Sequence, residues 1–133
     1  MSLTGTEHRR YRVLIVDDEP LFVDVISDFL ATLPDFDVTR AENGHVAVEA
    51  VRRDRPDVVL LDINMPGMNG IDALKRIRVL EPDLPVLMIT GSDAASASAG
   101  LAAGAYGYLP KPMDLRYIRH LLSVALGMES APA

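Results

Sequence analysis

Asp17-Asp18 and Asp62 each stand directly after an apolar run: the acid pair follows YRVLIV, and Asp62 follows VVLL in the stretch VVLLDINMPG. Thr90 closes VLMIT, and Lys111 comes two residues after the run YGYL. An unbroken Val/Leu run reads as a strand buried on both faces, and a carboxylate at its end is costly to bury. Either Asp62 caps a loop, or it lies at the carboxyl edge of a parallel sheet, where open α/β sheets place their chemistry. Clustered carboxylates repel and raise one another's pKa unless a cation neutralises them. An oxygen donor set without Cys or His suits Mg²⁺. A carboxylate beside such an ion is a nucleophile toward phosphorus, and Mg²⁺, a lysine ammonium and a threonine hydroxyl all stabilise the developing phosphoryl charge. Taken singly, Asp18 or Glu19 reads as a helix cap, Thr90 as an ordinary strand residue and Lys111 as a solvated lysine. Their coincidence at successive strand ends points to Asp62 as a phosphoryl acceptor.

The elements that must position these residues are legible in the spacing. Tyr11–Val16 reads as a strand. Leu21, Phe22, Val25, Ile26, Phe29, Leu30 and Leu33 follow helical spacing, so a helix runs from Pro20 to about Leu33, before Pro34. A short strand covers 36–41. Asn43-Gly44 opens a helix through Arg53. Val58–Leu61 is the third strand. Ile71, Leu74 and Ile77 mark a third helix ending near Pro82. Val86–Ile89 is the fourth strand, and Ala94–Ala103 a helix of small residues closed by Gly104. Tyr106–Leu109 is the fifth strand, and Asp114 caps a last helix carrying Leu115, Ile118, Leu121, Leu122 and Leu126. Strict strand-helix alternation implies a parallel sheet with helices on both faces. Five units are too few for an eight-unit barrel. The expected fold is an α/β doubly wound five-stranded parallel sheet, flavodoxin-like, in order 2-1-3-4-5. The expected organisation is a tail over 1–10, one domain over 11–127 and a tail over 128–133.

The 133 residues are 49% apolar, enough for the core of one domain. No apolar run approaches the roughly 18 residues of a membrane span. The polar start MSLTGTEHRR does not read as a secretory signal. There are no cysteines, which excludes disulfides and thiolate metal sites and agrees with an expected cytoplasmic location. A net charge of −6 argues against direct nucleic-acid binding by this domain.

The set LIVDDEP, VVLLDINMPGMNG, VLMITG and GAYGYLPKP resembles the CheY-like receiver domain of bacterial two-component response regulators, over about residues 11–127. The resemblance implies that Asp62 is the phosphoacceptor, served by a sensor histidine kinase or phosphotransfer protein. It implies Mg²⁺ held by Asp17, Asp18 and Asp62 (Asp17 directly or through water), with the backbone carbonyl of Asn64. It implies that Lys111 pairs with the phosphoryl oxygens, that Thr90 bonds them after phosphorylation, and that Tyr108 is the switch aromatic. It also implies a cis Lys111–Pro112 bond. The fourth helix, fifth strand and fifth helix would then bind an output partner or a second copy. The kinase would dock near the first helix and the loop after the fifth strand, with Leu21 or Phe22 exposed as a contact. The stretch Gly104-Ala105-Tyr106-Gly107-Tyr108 lacks the acidic residues that often precede the switch aromatic in one dimerising subfamily.

Two other functions remain open on residue types alone. One is a phosphatase of the haloacid dehalogenase class, which also uses Asp, Thr, Lys and Mg²⁺. There, however, the nucleophile ends the first strand as D-x-D, whereas here the acid pair comes first. The other is a pure interaction module with no Mg²⁺ affinity. Gly67 and Gly70 make neither a dinucleotide fingerprint nor a P-loop and read as a turn and a helix entry. His8, His45 and His120 are scattered, and Met65 and Met68 read as packing residues.

Overall fold

The computed structural model describes residues 10–128 apart from 66, 92–93 and 112–113, with the backbone alone for 94–96. The tails beyond these limits, His8 and the Lys111–Pro112 bond lie outside the described residues. Ten elements alternate: β1 (Tyr11–Val16), α1 (Pro20–Ala31), β2 (Phe36–Ala41), α2 (Gly44–Arg53), β3 (Val58–Asp62), α3 (Gly70–Leu80), β4 (Val86–Thr90), α4 (Ala94–Ala102), β5 (Gly107–Pro110) and α5 (Leu115–Ala125). The strands pair in parallel in the order β2-β1-β3-β4-β5, the order expected from the sequence.

The period-2 alternation of the strands sorts their side chains to two faces. Val13, Ile15, Val58, Leu60, Leu87 and Ile89 pack with α1 and α5. Leu14, Val16, Val59, Leu61, Val86 and Met88 pack with α2 and α3. β3 and β4 are buried along their whole length, which is why they read as unbroken apolar runs.

Helix ends follow local chemistry. Asn43, Asn69 and Asp114 cap α2, α3 and α5 by accepting from the N–H groups of Val46, Asp72 and Arg116. α1 stops at Ala31, two residues earlier than expected, because Pro34 disfavours helical backbone before it. Thr32 and Leu33 still close turns onto Phe29 and Leu30. β5 is displaced by one residue from its expected span. It runs to Pro110, which an edge strand tolerates because its missing N–H is not needed there. Arg78, late in α3, donates to the carbonyls of Glu81, Pro82, Leu84 and Gly104 and so ties the α3–β4 connection to the α4–β5 corner.

Two glycines near Asp62 have separate roles. Gly67 takes a φ of 78°, a left-handed turn that L side chains rarely adopt. Gly70 opens α3 and donates its N–H to the Ile63 carbonyl at 2.8 Å. A β-carbon on Gly70 would collide with the Asp62 carbonyl oxygen and the Ile63 Cα, both backbone atoms that cannot step aside cheaply. Gly70→Ala is therefore expected to destabilise the domain by about 2–4 kcal/mol, within the range of strong steric substitutions. Chemical denaturation of the variant checks this; a loss under about 0.5 kcal/mol, the range of neutral surface changes, would mean that α3 can start farther from β3.

Candidate functional site

The carboxyl ends of β1 and β3 lie side by side. Val16 stands opposite Leu61, so Asp17 and Asp62 extend neighbouring strands by the same step. Asp17 is fixed further by its backbone N–H, which reaches the Ala41 carbonyl at 3.2 Å. Carboxylate oxygens of Asp17, Asp18 and Asp62 come within 4.8 Å of one another. Asp17 and Asp62 are buried, at 3% and 4% exposure, whereas Asp18 faces outward.

Lys111 closes the site from β5. Its backbone N–H donates to the Thr90 carbonyl at 2.7 Å, which continues the β4–β5 pairing beyond Pro110. Its Nζ lies 3.1 Å from Asp17 Oδ2, 2.7 Å from Glu19 Oε1 and 3.9 Å from Asp62 Oδ1. The same ammonium sits 4.3 Å from the centroid of the Phe22 ring, in cation–π range. Burial pulls the Lys111 pKa down, but hydrogen bonds to Glu19 and Asp17 together with the charges of Asp62 and Asp17 outweigh it and leave the value raised.

The acids respond to crowding. Burial, then the Asp17 charge, pushes the Asp62 carboxyl up to about 6, against the opposing pull of Lys111 and a hydrogen bond from the Asn64 backbone N–H. Burial also raises the Asp17 pKa, opposed by the Glu19 N–H and Lys111. Burial and crowding push the Asp17 and Asp62 carboxyls toward the protonated form, a strain that a hard cation would relieve. The donors are oxygens alone and suit Mg²⁺.

Each residue singled out in the sequence has a definite place. Asp17, Asp18, Asp62 and Lys111 come together. Thr90 is buried at the end of β4, next to Ile89, the register partner of Asp62. Asn64 is exposed in the loop after β3. Tyr108 lies on β5 opposite Met88, and 43% of it is exposed. Leu21 is 80% exposed on the first turn of α1, and Phe22 is half-buried. Met65 and Met68 are buried in the core under the β3–α3 loop, and His45 and His120 are exposed.

Glu19 and Phe22 are the two contributors that sequence reasoning did not assign to the site. Glu19 read as a helix cap, yet its side chain makes no capping bond and goes to Lys111. The available signal was its type: Glu is not among the preferred N-cap residues.

A profile of the response regulator receiver domain matches residues 13–123. The chain belongs to this receiver family. Among curated relatives, a Mycobacterium tuberculosis protein named "Probable transcriptional regulatory protein TcrX" is 42% identical over 107 residues, covering 80% of this chain and 45% of the relative. A protein-glutamate methylesterase/protein-glutamine glutaminase of Pyrococcus abyssi is 42% identical over 116 residues, 84% of this chain and 30% of the relative. The receiver thus spans less than half the length of these two relatives. The crystal structure of the response regulator domain of Thermotoga maritima CheB superposes with a TM-score of 0.83 at 31% identity, covering 92% of this chain and all of that one. A CheY-like receiver domain from Methanospirillum hungatei reaches a TM-score of 0.84 at 26% identity, covering 89% and 94% of the two chains. Of the three functions open to the residue types, the matches are to the two-component receiver. No helix of this receiver, among the described residues, is long and apolar enough to cross a membrane.

The raised Asp62 pKa has a stability consequence in metal-free buffer. Between the ordinary value of 3.8 and about 6, the folded state holds a proton that the unfolded state releases, so stability falls as pH rises through that window. Asp62→Asn removes this loss. In EDTA its stability advantage over the parent should grow from pH 4 to 7 and then level off, reaching at most about 3 kcal/mol. Urea denaturation at stepped pH measures the difference, and a flat difference across the window would contradict the assignment.

Proposed function

We propose that this receiver accepts a phosphoryl group on Asp62 from the phosphohistidine of a sensor histidine kinase or phosphotransfer protein. The observation that supports it best is the meeting of three carboxylates within 4.8 Å at adjacent strand ends, with the Lys111 ammonium beside them. In this reading an Asp62 carboxylate oxygen attacks phosphorus and the histidine nitrogen leaves. Asp62 must be ionised to attack, and the Lys111 charge and the Asn64 N–H both favour its ionised form. Asp17, Asp18 and Asp62, with the Asn64 carbonyl, would hold Mg²⁺. When bound, the ion supplies positive charge that offsets the crowded carboxylates and the incoming phosphoryl oxygens.

Lys111 then pairs with a phosphoryl oxygen, and the Thr90 hydroxyl bonds another. Thr90 follows Met88 by two residues on β4 and so shares its face; the Met88 side chain lies 3.2 Å from where a β-carbon on Gly100 of α4 would sit. A shift of Thr90 is thereby transmitted to the packing beneath α4, where Tyr108 is free to turn inward. The output surface comprises α4, β5 and α5, where Leu101, Tyr117 and Val124 are exposed, with Tyr106 exposed just before β5. A second copy or an output partner binds there once the surface has changed shape. The kinase docks beside α1, with Leu21 as a contact.

Acetyl phosphate with Mg²⁺ should add one acid-labile phosphoryl group to the parent protein and none to Asp62→Asn, as read by intact mass. Labelling of that variant at another residue to the same extent would refute Asp62 as the acceptor.

Mg²⁺ should also raise the melting temperature, because a ligand of the folded state stabilises it by about 1.4 kcal/mol at tenfold excess over Kd. Asp18→Ala should lose most of that shift. Retention of the full shift would exclude Asp18 as a ligand.

A further inference from the structure

The first turn of α1 departs from the other capped helices in one respect. The N-cap side chains of α2, α3 and α5 each bond a backbone N–H of their own helix. Glu19, the N-cap of α1, does not. Its backbone is extended and its carbonyl still accepts from Val23, while its own N–H is bonded by Asp17 Oδ1 at 2.9 Å. Its carboxylate turns instead to the Lys111 ammonium at 2.7 Å. Phe22, three residues on and hence on the same helix face, brings its ring to 4.3 Å from that ammonium. The chain forgoes a local cap and uses the first turn of α1 to hold a cation 92 residues away in sequence.

The distances rank the partners of that cation. Glu19 is nearest, Asp17 next, and Asp62 lies farthest at 3.9 Å. The lysine is therefore drawn toward α1 rather than onto the proposed acceptor. Only 20% of its side chain is exposed, so its contacts are partly shielded from water. Asp17 faces both the ammonium and the metal-binding cluster, whereas Glu19 is outside that cluster and 63% exposed. Glu19 is thus free to serve the lysine alone.

We infer that Glu19 and Phe22 form a resting seat for the Lys111 ammonium, and that the seat competes with the phosphoryl oxygens for this cation. This rests on the reading of Asp62 as phosphoacceptor. Glu19 and Phe22 are positioning residues: they act through Lys111 and touch neither phosphorus nor Asp62. The seat sets how readily the lysine is released to an arriving phosphoryl group, and therefore the labelling rate and the affinity for phosphoryl mimics. Because Glu19 is largely exposed, its hold is modest, and a severalfold effect is expected rather than orders of magnitude.

The test compares the full chain with Glu19→Gln, which keeps the side-chain shape and removes its charge, and with Phe22→Leu, which keeps apolar bulk and removes the ring. Acetyl phosphate labelling in Mg²⁺ and the affinity for beryllofluoride are measured for each, with thermal melts as a check on folding. Glu19→Gln should raise both quantities roughly two- to fivefold, and Phe22→Leu by a smaller factor in the same direction. The gain must pass through the lysine, so it should disappear when Glu19→Gln is combined with Lys111→Met. Unchanged rate and affinity in Glu19→Gln, a decrease, or the same gain in the Lys111→Met background would each overturn the seat. If the parent protein labels at Asp62 while these results hold, the seat alone falls. If the parent takes no phosphoryl group at Asp62, the phosphoacceptor reading falls and the seat with it.

Discussion

Repulsion among carboxylates is the constraint around which this fold is arranged. Asp17 and Asp62 are buried side by side at the ends of adjacent strands, a placement that ordinary folding would avoid. The apolar runs behind them make it tenable. β1 and β3 are locked in register by residues packed on both faces of the sheet, so neither carboxylate can withdraw without dragging a strand out of the core. Gly70 closes the arrangement from behind by letting α3 begin against the Asp62 backbone. The resulting repulsion is of the kind that a bound cation would offset.

The two faces of the sheet divide the remaining work. Lys111 reaches the acids beside α1, where Phe22 and Glu19 meet it. Tyr108 stands opposite Met88 in register, on the side where Gly100 of α4 packs. Charge is thus handled on one side of the sheet and shape on the other, with the strand ends between them. The α4 side is lightly built: Leu101 is 45% exposed, and small residues make up most of the helix. Such an element can change its packing for little free energy.

Much of this was legible in the sequence because the signals were local and repeated. Alternating strands and helices gave the topology, and acids placed after apolar runs gave the cluster. Boundaries were less legible where side chains and backbone disagree. Leu33 keeps the helical spacing and packs on the core although α1 has ended, and Pro110 belongs to a strand although proline argues against one. Glu19 was the largest omission among the site residues. Its neighbours in sequence suggest a cap, and the lysine that claims it is brought near only when β5 takes its place at the far side of the sheet. No window on the sequence contains both partners.

Pro110 has a further consequence for one of the two open borders of the sheet. β5 is the last strand, only four residues long, and its final residue has no N–H to offer. A short border strand lacking a donor is a poor template for another chain's backbone. Cross-β growth from this border is accordingly disfavoured, which guards one side of a sheet whose interior strands are mostly Val, Leu and Ile against the aggregation that such sequences invite when left uncovered.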